Sequence, residues 1–563
     1  MRKNSARLGM AGLLGACLAA LCSLPLMAQS KAGVLTKPTV DRPVHFDVSP
    51  PLFELIEQAP PFKGVPRESE PLRIPHLAHL QALYHPGQAV TDPALQTYVG
   101  GPVGASTFLN FLGVGIGFPN YQDEGDNSNS NAAVGDTEVV QWVDPFYAVF
   151  DKSTGAILAG PIPGDTFWAG FGGPCENSVD YEGDNIIQWD KAAHRWLAAQ
   201  NTRLSPYMTC IAVSQTSDAL GSYYRFAYSD SGFPEYPKWG VFSNGVNNAY
   251  FYADNNFATG NPFLGAHPCA FQRDKLLTGD STALRICFQT GTFDNSLLPA
   301  DNDGTIPPPK GRDEFYMGSI DNGNPNDSNT VYLYIFHVDF TNPSNSTFSG
   351  VGGTMPITVA PFALACGGFA PCIPMPNSKY LLPSFGDRLM YRLAYRNVVP
   401  ATVPKTAANA QHEVLLVTHS VTSTTGQVGV RWYEFRAITP SNPTVFQQGT
   451  FAPDTNYRWL GSIAEDNQGN ITLGYSVSSS TVFPSIRYTG CTPSDPVGTM
   501  ETEASIIEGT ASPQETIGWS DFSSMAVDAA DECTMWFSGQ FFTVSGFAQW
   551  STQLASLRWP NCP

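Results

Sequence analysis

Asp136, Asp184, Glu235, Asp387 and Asp521 share one local setting: each carboxylate stands within a few residues of a run of apolar, β-forming residues. The settings read Gly135-Asp136-Thr137, Glu182-Gly183-Asp184, Glu235-Tyr236-Pro237-Lys238, Asp387-Arg388 and Trp519-Ser520-Asp521. Paired carboxylates of this kind supply the acid and the base or nucleophile of glycosidic cleavage. Arginines lie in similar places. Arg388, Arg392 and Arg458, with Arg396, Arg431 and Arg487 behind them, could clamp a carboxylate or sulfate by bidentate hydrogen bonds. Tyr236, Tyr457, Trp459 and Trp519 offer flat faces for a sugar ring. His337 and His419 sit inside β-rich segments, where a polysaccharide lyase would need a proton-abstracting group. A competing reading makes the arginines packing partners of aromatic rings and the two histidines core residues.

These groups are far apart in sequence, so only a fold that gathers strand starts could unite them. A recurring phrase points to one. Ser462-Ile463-Ala464-Glu465-Asp466 and Ser524-Met525-Ala526-Val527-Asp528 are in register, each followed by a polar turn and a second β-rich run. Looser copies end at Asp151 and Asp190. In all four the Asp is expected to cap its own turn. A hairpin unit cannot bury its apolar face alone, so its repetition along a long chain predicts radially stacked sheets. The expected fold is all-β: a single β-propeller of about seven four-stranded blades, with the innermost strands opening on one mouth of a central channel. A β-helix would show shorter, stricter repeats.

Composition agrees, with 51 Gly and 46 Pro and only 14% charged residues, as a turn-rich β protein requires. A formal charge of −19 argues against nucleic acid or an anionic membrane as partner. Residues 1–28 read as a secretory signal peptide, with Arg2, Lys3 and Arg7 before an apolar stretch from Leu8 to Leu26. Cys17 offers an alternative lipoprotein site. No later run approaches the roughly 20 apolar residues of a membrane span. Residues 29–132 form a Pro/Gly-rich arm with a helix near Leu77 to Leu83, and residues 133–563 form the propeller. His76, His79 and His85 on that helix lack a carboxylate partner and read as a polar face. Irregular loops are expected at Asp301 to Arg312 and Asp321 to Asn329.

Two of the 11 Cys lie in the leader, leaving nine for the mature chain. In an oxidising compartment these pair as disulfides. Cys366 with Cys372, Cys269 with Cys287 and Cys533 with Cys562 are the expected bridges, and Cys491 is the expected free thiol. His267 beside Cys269 is the one His close to a Cys, a weak metal signal without a CxxC.

The wording of Ala133-Val134-Gly135-Asp136, Phe171-Gly172-Gly173-Pro174-Cys175, Gly221-Ser222-Tyr223-Tyr224-Arg225, Tyr236-Pro237-Lys238, Gly386-Asp387-Arg388-Leu389-Met390-Tyr391-Arg392 and Asn456-Tyr457-Arg458-Trp459 resembles a widespread group of secreted bacterial proteins. That group is similar to sialidase-like propellers. The resemblance implies a fold and no activity, and the Ser-x-Asp-x-Gly-x-x-Trp turns of true sialidases are absent from this chain.

Serine-hydrolase, zinc-protease, nucleotide-binding and covalent-haem motifs are also absent. No cofactor is expected beyond a Ca²⁺ ion that oxygen donors of Asp123 to Asp136 could hold. The sequence therefore points to extracellular polysaccharide or cell-surface glycan as the partner, cleaved by hydrolysis or elimination. The alternative is a non-catalytic carbohydrate- or protein-binding propeller using the same mouth.

Overall fold

The computed structural model describes residues 37–59, 75, 77–85, 90–98, 100–122, 128–176, 184–258, 262–319, 328–349, 355–398, 412–436, 444–515 and 518–562. The signal peptide, Cys17, His76 and most of Asp123 to Asn131 and Asp321 to Asn329 lie outside them. The chain is all-β, built from antiparallel sheets whose strands follow one another in sequence.

One sheet runs Asn131–Val134, Glu138–Val143, Phe146–Asp151, Ile157–Pro163. The next runs Ile186–Asp190, Arg195–Asn201, Met208–Ser214, Tyr223–Ser229. A third starts at Phe233–Phe242 and ends at Arg285–Cys287. A nine-stranded sheet follows, in which Leu298–Asn302 and Leu389–Val398 pair in parallel. Two four-stranded sheets begin at Tyr457–Glu465 and Ser524–Val527. The last of these is completed by Ser106–Leu112, from the opposite end of the chain, lying antiparallel to Trp550–Arg558.

The first strands make a circuit. Asn131–Val134 adjoins Ile186–Asp190, and contacts continue through Phe233–Phe242, Leu298–Asn302, Leu389–Val398, Tyr457–Glu465 and Ser524–Val527 back to Asn131–Val134. Each sheet is sandwiched between neighbours, so strands such as Met208–Ser214 are buried at every residue. Alternation of polar and apolar residues is therefore weak.

The hairpins close as their turn residues dictate. The Asp466 carboxylate accepts from the backbone N–H groups of Gln468 and Asn470 at 2.8 and 2.9 Å. Asp151 does the same for Ser153 and Thr154, Asp190 for Ala193 and Asp528 for Ala530. Gly469, at φ 82°, takes a left-handed position open to glycine at no steric cost.

The described part of the N-terminal segment is woven into the sheets. Thr39–Asp41 and His45–Val48 add outer strands beside Arg285–Cys287 and Tyr223–Ser229, and a helix spans Leu77–Leu83. Three of its aspartates each meet a buried arginine: Asp41 with Arg285, Asp47 with Arg225, Asp92 with Arg431. Most of the Asp301 to Arg312 stretch, residues 303–312, is the irregular loop expected. Asp301 and Asn302 finish a strand, and Asp303, just beyond it, is buried because Arg392 requires a counter-charge there.

Four disulfides form: Cys175–Cys210, Cys269–Cys287, Cys366–Cys372 and Cys533–Cys562. Such a set fits an oxidising compartment. Cys491 is unpaired and buried, and burial pushes its thiol pKa upward. In a chain beginning after residue 28, one thiol is expected to react with an aromatic disulfide reagent after denaturation and none before. A thiol that titrates in the native state would contradict its burial. No helix among the described residues is long and apolar enough to cross a membrane.

Candidate active site at the strand starts

Asp184, Tyr236, Asp387, Arg388 and Asp521 are brought together from different sheets, joined by a residue that spacing did not single out, Lys238. The pairing of Phe233–Phe242 with Ala249–Phe257 slips between Glu235 and Lys238. Such a bulge re-aims the side chains that follow it. Here it turns the Lys238 ammonium into an aromatic cage, 2.9 Å from the ring centre of Phe522, 3.4 Å from Tyr236 and 5.7 Å from Tyr391. Lys238 is wholly buried, and its Nζ has no hydrogen-bond partner among the described residues.

Asp184 faces this cage from the start of Ile186–Asp190. Its carboxylate accepts from Asn129 Nδ2 at 2.9 Å and from the Tyr236 backbone N–H at 3.1 Å. Its own N–H donates to Asp144 Oδ2 at 2.9 Å. Asn129, Asp184 and Tyr236 all have left-handed backbones, at φ 40°, 63° and 57°. A bulky aromatic in that region is strained, and strain persists where surrounding contacts over-determine it. Arg388 is fully buried, held bidentately by Asp387 at 2.9 and 2.8 Å, with its guanidinium carbon 4.4 Å from the Tyr236 ring centre.

The electrostatics follow from burial. Loss of water raises the pKa of Asp184, and Asp521 raises it further, against the pull of Lys238 and Arg388. Burial likewise raises Asp521, again opposed by Lys238 and Arg388. Burial drives the Lys238 pKa well down, against Asp521 and Asp184. The cluster therefore favours protonated carboxyls and a weakly basic amine. A carboxyl held protonated near neutral pH can serve as a general acid. Asp184 alone of the three is partly exposed, while Asp521 and Lys238 are buried.

Lys238→Met tests the cage. A lysine whose folded pKa lies below its unfolded value binds fewer protons when folded, so its contribution makes stability rise with pH up to the unfolded pKa. The variant is expected to lose that rise, seen as a smaller gain in urea midpoint between pH 7 and pH 9 than in the parent chain. An unchanged gain would mean that Lys238 is not desolvated.

The remaining residues named from sequence go elsewhere. Asp136 follows the end of Asn131–Val134, whereas Asp184 precedes the start of its strand, and it meets His194 Nδ1 at 2.9 Å. Glu235 borders the cage and interacts electrostatically with Lys238. Arg392 pairs with Asp301 and Asp303, and Arg458 with Glu503 and Asp454. Trp459 and Trp519 are wholly buried, their rings 5.5 Å apart, and Tyr457 packs half-buried against the same core. His337 pairs with Asp313 on the surface. His419 is buried between Phe362 and Tyr433, its pKa driven down by burial and by Arg431.

A narrow cavity is lined by Gln188, Lys191, Asp301, Tyr391, Arg392 and Ser524 among others. Gln188 donates to the Tyr391 hydroxyl at 2.9 Å, and Tyr391 also borders the lysine cage. Tyr391 thus stands between two charged clusters.

No family model and no curated protein matches the chain. Among solved structures, a protein of unknown function from Dyadobacter fermentans matches at 10% identity and a TM-score of 0.37, covering 81% of this chain and 99% of its own. A polysaccharide lyase, an ulvan lyase, matches at 10% identity and a TM-score of 0.36 over 80% of this chain and 96% of its own. An exo-β-1,3-galactanase from Phanerochaete chrysosporium matches at 8% identity and a TM-score of 0.28 over 81% and 96%. Likeness at this level assigns neither fold nor activity, so both are argued from the chain's own residues.

Proposed function

We propose that this chain is a secreted seven-bladed β-propeller that acts on extracellular polysaccharide at the strand-start mouth of its channel. The closed circuit of first strands supports the blade count. The nine-stranded sheet is then two blades, fused where their innermost strands pair in parallel. In this reading the described strands before residue 131 strap the outer edges of two blades and close the last one. The leader-like N-terminus and four bridges support secretion.

One observation carries the catalytic reading: Asp184, a partly exposed residue whose carboxyl pKa is raised by burial and by the nearby buried Asp521, sits beside the caged Lys238. Asp184 gives its proton to the leaving glycosidic oxygen. Lys238 and Arg388, which both pull the Asp184 pKa down, balance the carboxylate left behind. Hydrolysis and elimination both require that proton.

The test is to incubate the purified chain with neutral and acidic polysaccharides and follow reducing ends together with the absorbance of unsaturated uronates. Ends without absorbance identify a hydrolase, and both signals together identify a lyase. A second reading, a non-catalytic glycan-binding propeller, is favoured by the closure of Asp521, Lys238 and Arg388 from solvent. Binding of a glycan without either signal would select it.

A further inference from the structure

Outside the channel, one cluster combines two sulfurs and an imidazole. Cys269 and Cys287 stand directly opposite each other on neighbouring antiparallel strands, and His267 stands opposite Asp254 one strand over. Side chains alternate faces along a strand, so His267 and Cys269, two residues apart, share a face with both partners. The Cys269 sulfur lies 3.7 Å from His267 Nε2 and 3.8 Å from its Nδ1, so the imidazole must turn to present Nε2 to an ion held by the sulfurs. One ligand atom from each of His267, Cys269 and Cys287 falls within 4.8 Å of the others. A tetrahedral zinc ion, with bonds of about 2.0 to 2.3 Å, spaces its donors by roughly 3.5 Å.

The neighbour of the imidazole is the second observation. Asp254 Oδ2 lies 3.2 Å from His267 Nδ1, and the Asp254 side chain is buried. A carboxylate that accepts from Nδ1–H fixes the tautomer and leaves the Nε2 lone pair for a metal. That pairing recurs behind zinc-binding histidines, whereas a disulfide has no use for it. The His267 side chain is 14% exposed, which gives an ion a path from solvent and water the fourth position.

We propose that Cys269, Cys287 and His267 form a zinc site in the reduced chain, with Asp254 as the positioning residue, and that the disulfide is its oxidised, metal-free form. Thiolate donors favour zinc over harder cations. Interconversion is thiol–disulfide exchange with a low-molecular-weight disulfide. The two zinc-bound thiolates become one S–S bond, the disulfide takes up two electrons and two protons to give two thiols, and the zinc ion leaves to water.

The experiment reduces the full chain with a phosphine under native conditions, removes the reductant and measures zinc uptake against a chromophoric chelator. The expected result is one tightly held zinc per reduced chain, none per oxidised chain, and release on adding glutathione disulfide. Cys269→Ser with Cys287→Ser should abolish uptake, and Asp254→Asn should weaken it by about 10- to 100-fold. Cys366→Ser with Cys372→Ser should leave it intact. Failure of the reduced chain to take up zinc would overturn the site, as would full uptake by the Cys269/Cys287 variant or resistance of this pair to native-state reduction. The outcome is independent of any action on polysaccharide.

Discussion

Asp92→Ala is expected to cost about 3 to 5 kcal/mol of stability, because it strands a buried guanidinium. Asp92 and Arg431 are 1% and 0% exposed at their side chains. Arg431 keeps bonds to Thr450 Oγ1 at 2.6 Å and to the Ala360 carbonyl at 3.1 Å, but neither neutralises its charge. Asp92 also caps the Ala94 N–H at 3.0 Å, so the variant loses a turn cap as well. Asp47→Ala is the comparison, since Asp47 is 28% exposed and water can take its place beside Arg225. Its effect should be clearly smaller. Exchanging both partners, Asp92→Leu with Arg431→Met, should recover much of the loss, because two apolar groups leave no charge uncompensated. Denaturant midpoints at constant slope decide the matter. An Asp92→Ala midpoint equal to the parent's would show that this part of the N-terminal segment is not docked in solution.

Much of the fold was legible because hairpins are local. Asp466 and Asp528 announce their turns through side-chain to backbone bonds spanning two to four residues, and such bonds leave a trace in any sequence. Parity among nine cysteines leaves one thiol free, and Cys491 was legible as that one because it stands alone in a turn-like stretch of the sequence. The nine-stranded sheet was not legible. The parallel pairing of Ala300 with Leu393 joins residues too far apart for any local pattern to record.

The site was legible by half, for a definite reason. The first strands adjoin one another in a circuit, and their starts gather Asp184, Tyr236, Asp387, Arg388 and Asp521. The face each side chain takes is set by burial on both sides of the strand. Trp459 and Trp519, which read as sugar platforms, instead pack on each other and on Phe542. Arg458 finds Glu503, 45 positions away, and is neutralised before any ligand could use it. Lys238 was missed because only the slip in register after Glu235 turns it inward.

With a substrate from the polysaccharide panel in hand, Asp184→Asn is expected to lower turnover by about 10²- to 10⁴-fold, the usual contribution of a positioned general acid. The amide is nearly isosteric and keeps one of the two acceptors that Asn129 and the Tyr236 N–H now use. The fold should survive. Stability supplies an independent reading, because the folded carboxyl has a raised pKa. Between the unfolded value and the folded one, the folded chain binds more protons, so the contribution of Asp184 to stability is full at low pH and is lost as pH rises through its folded value. An asparagine cannot ionise and escapes that loss. The variant should therefore gain on the parent chain as pH rises from 4 towards 8, while the parent's turnover falls over the upper part of the same range as the acid loses its proton. Parallel profiles of turnover and of urea midpoint would tie both effects to one group. Turnover retained in Asp184→Asn would remove the acid from the mechanism, whatever the stability profile. A stability shift without any turnover in either chain would leave Asp184 a strained, desolvated carboxyl at the mouth of a binding propeller.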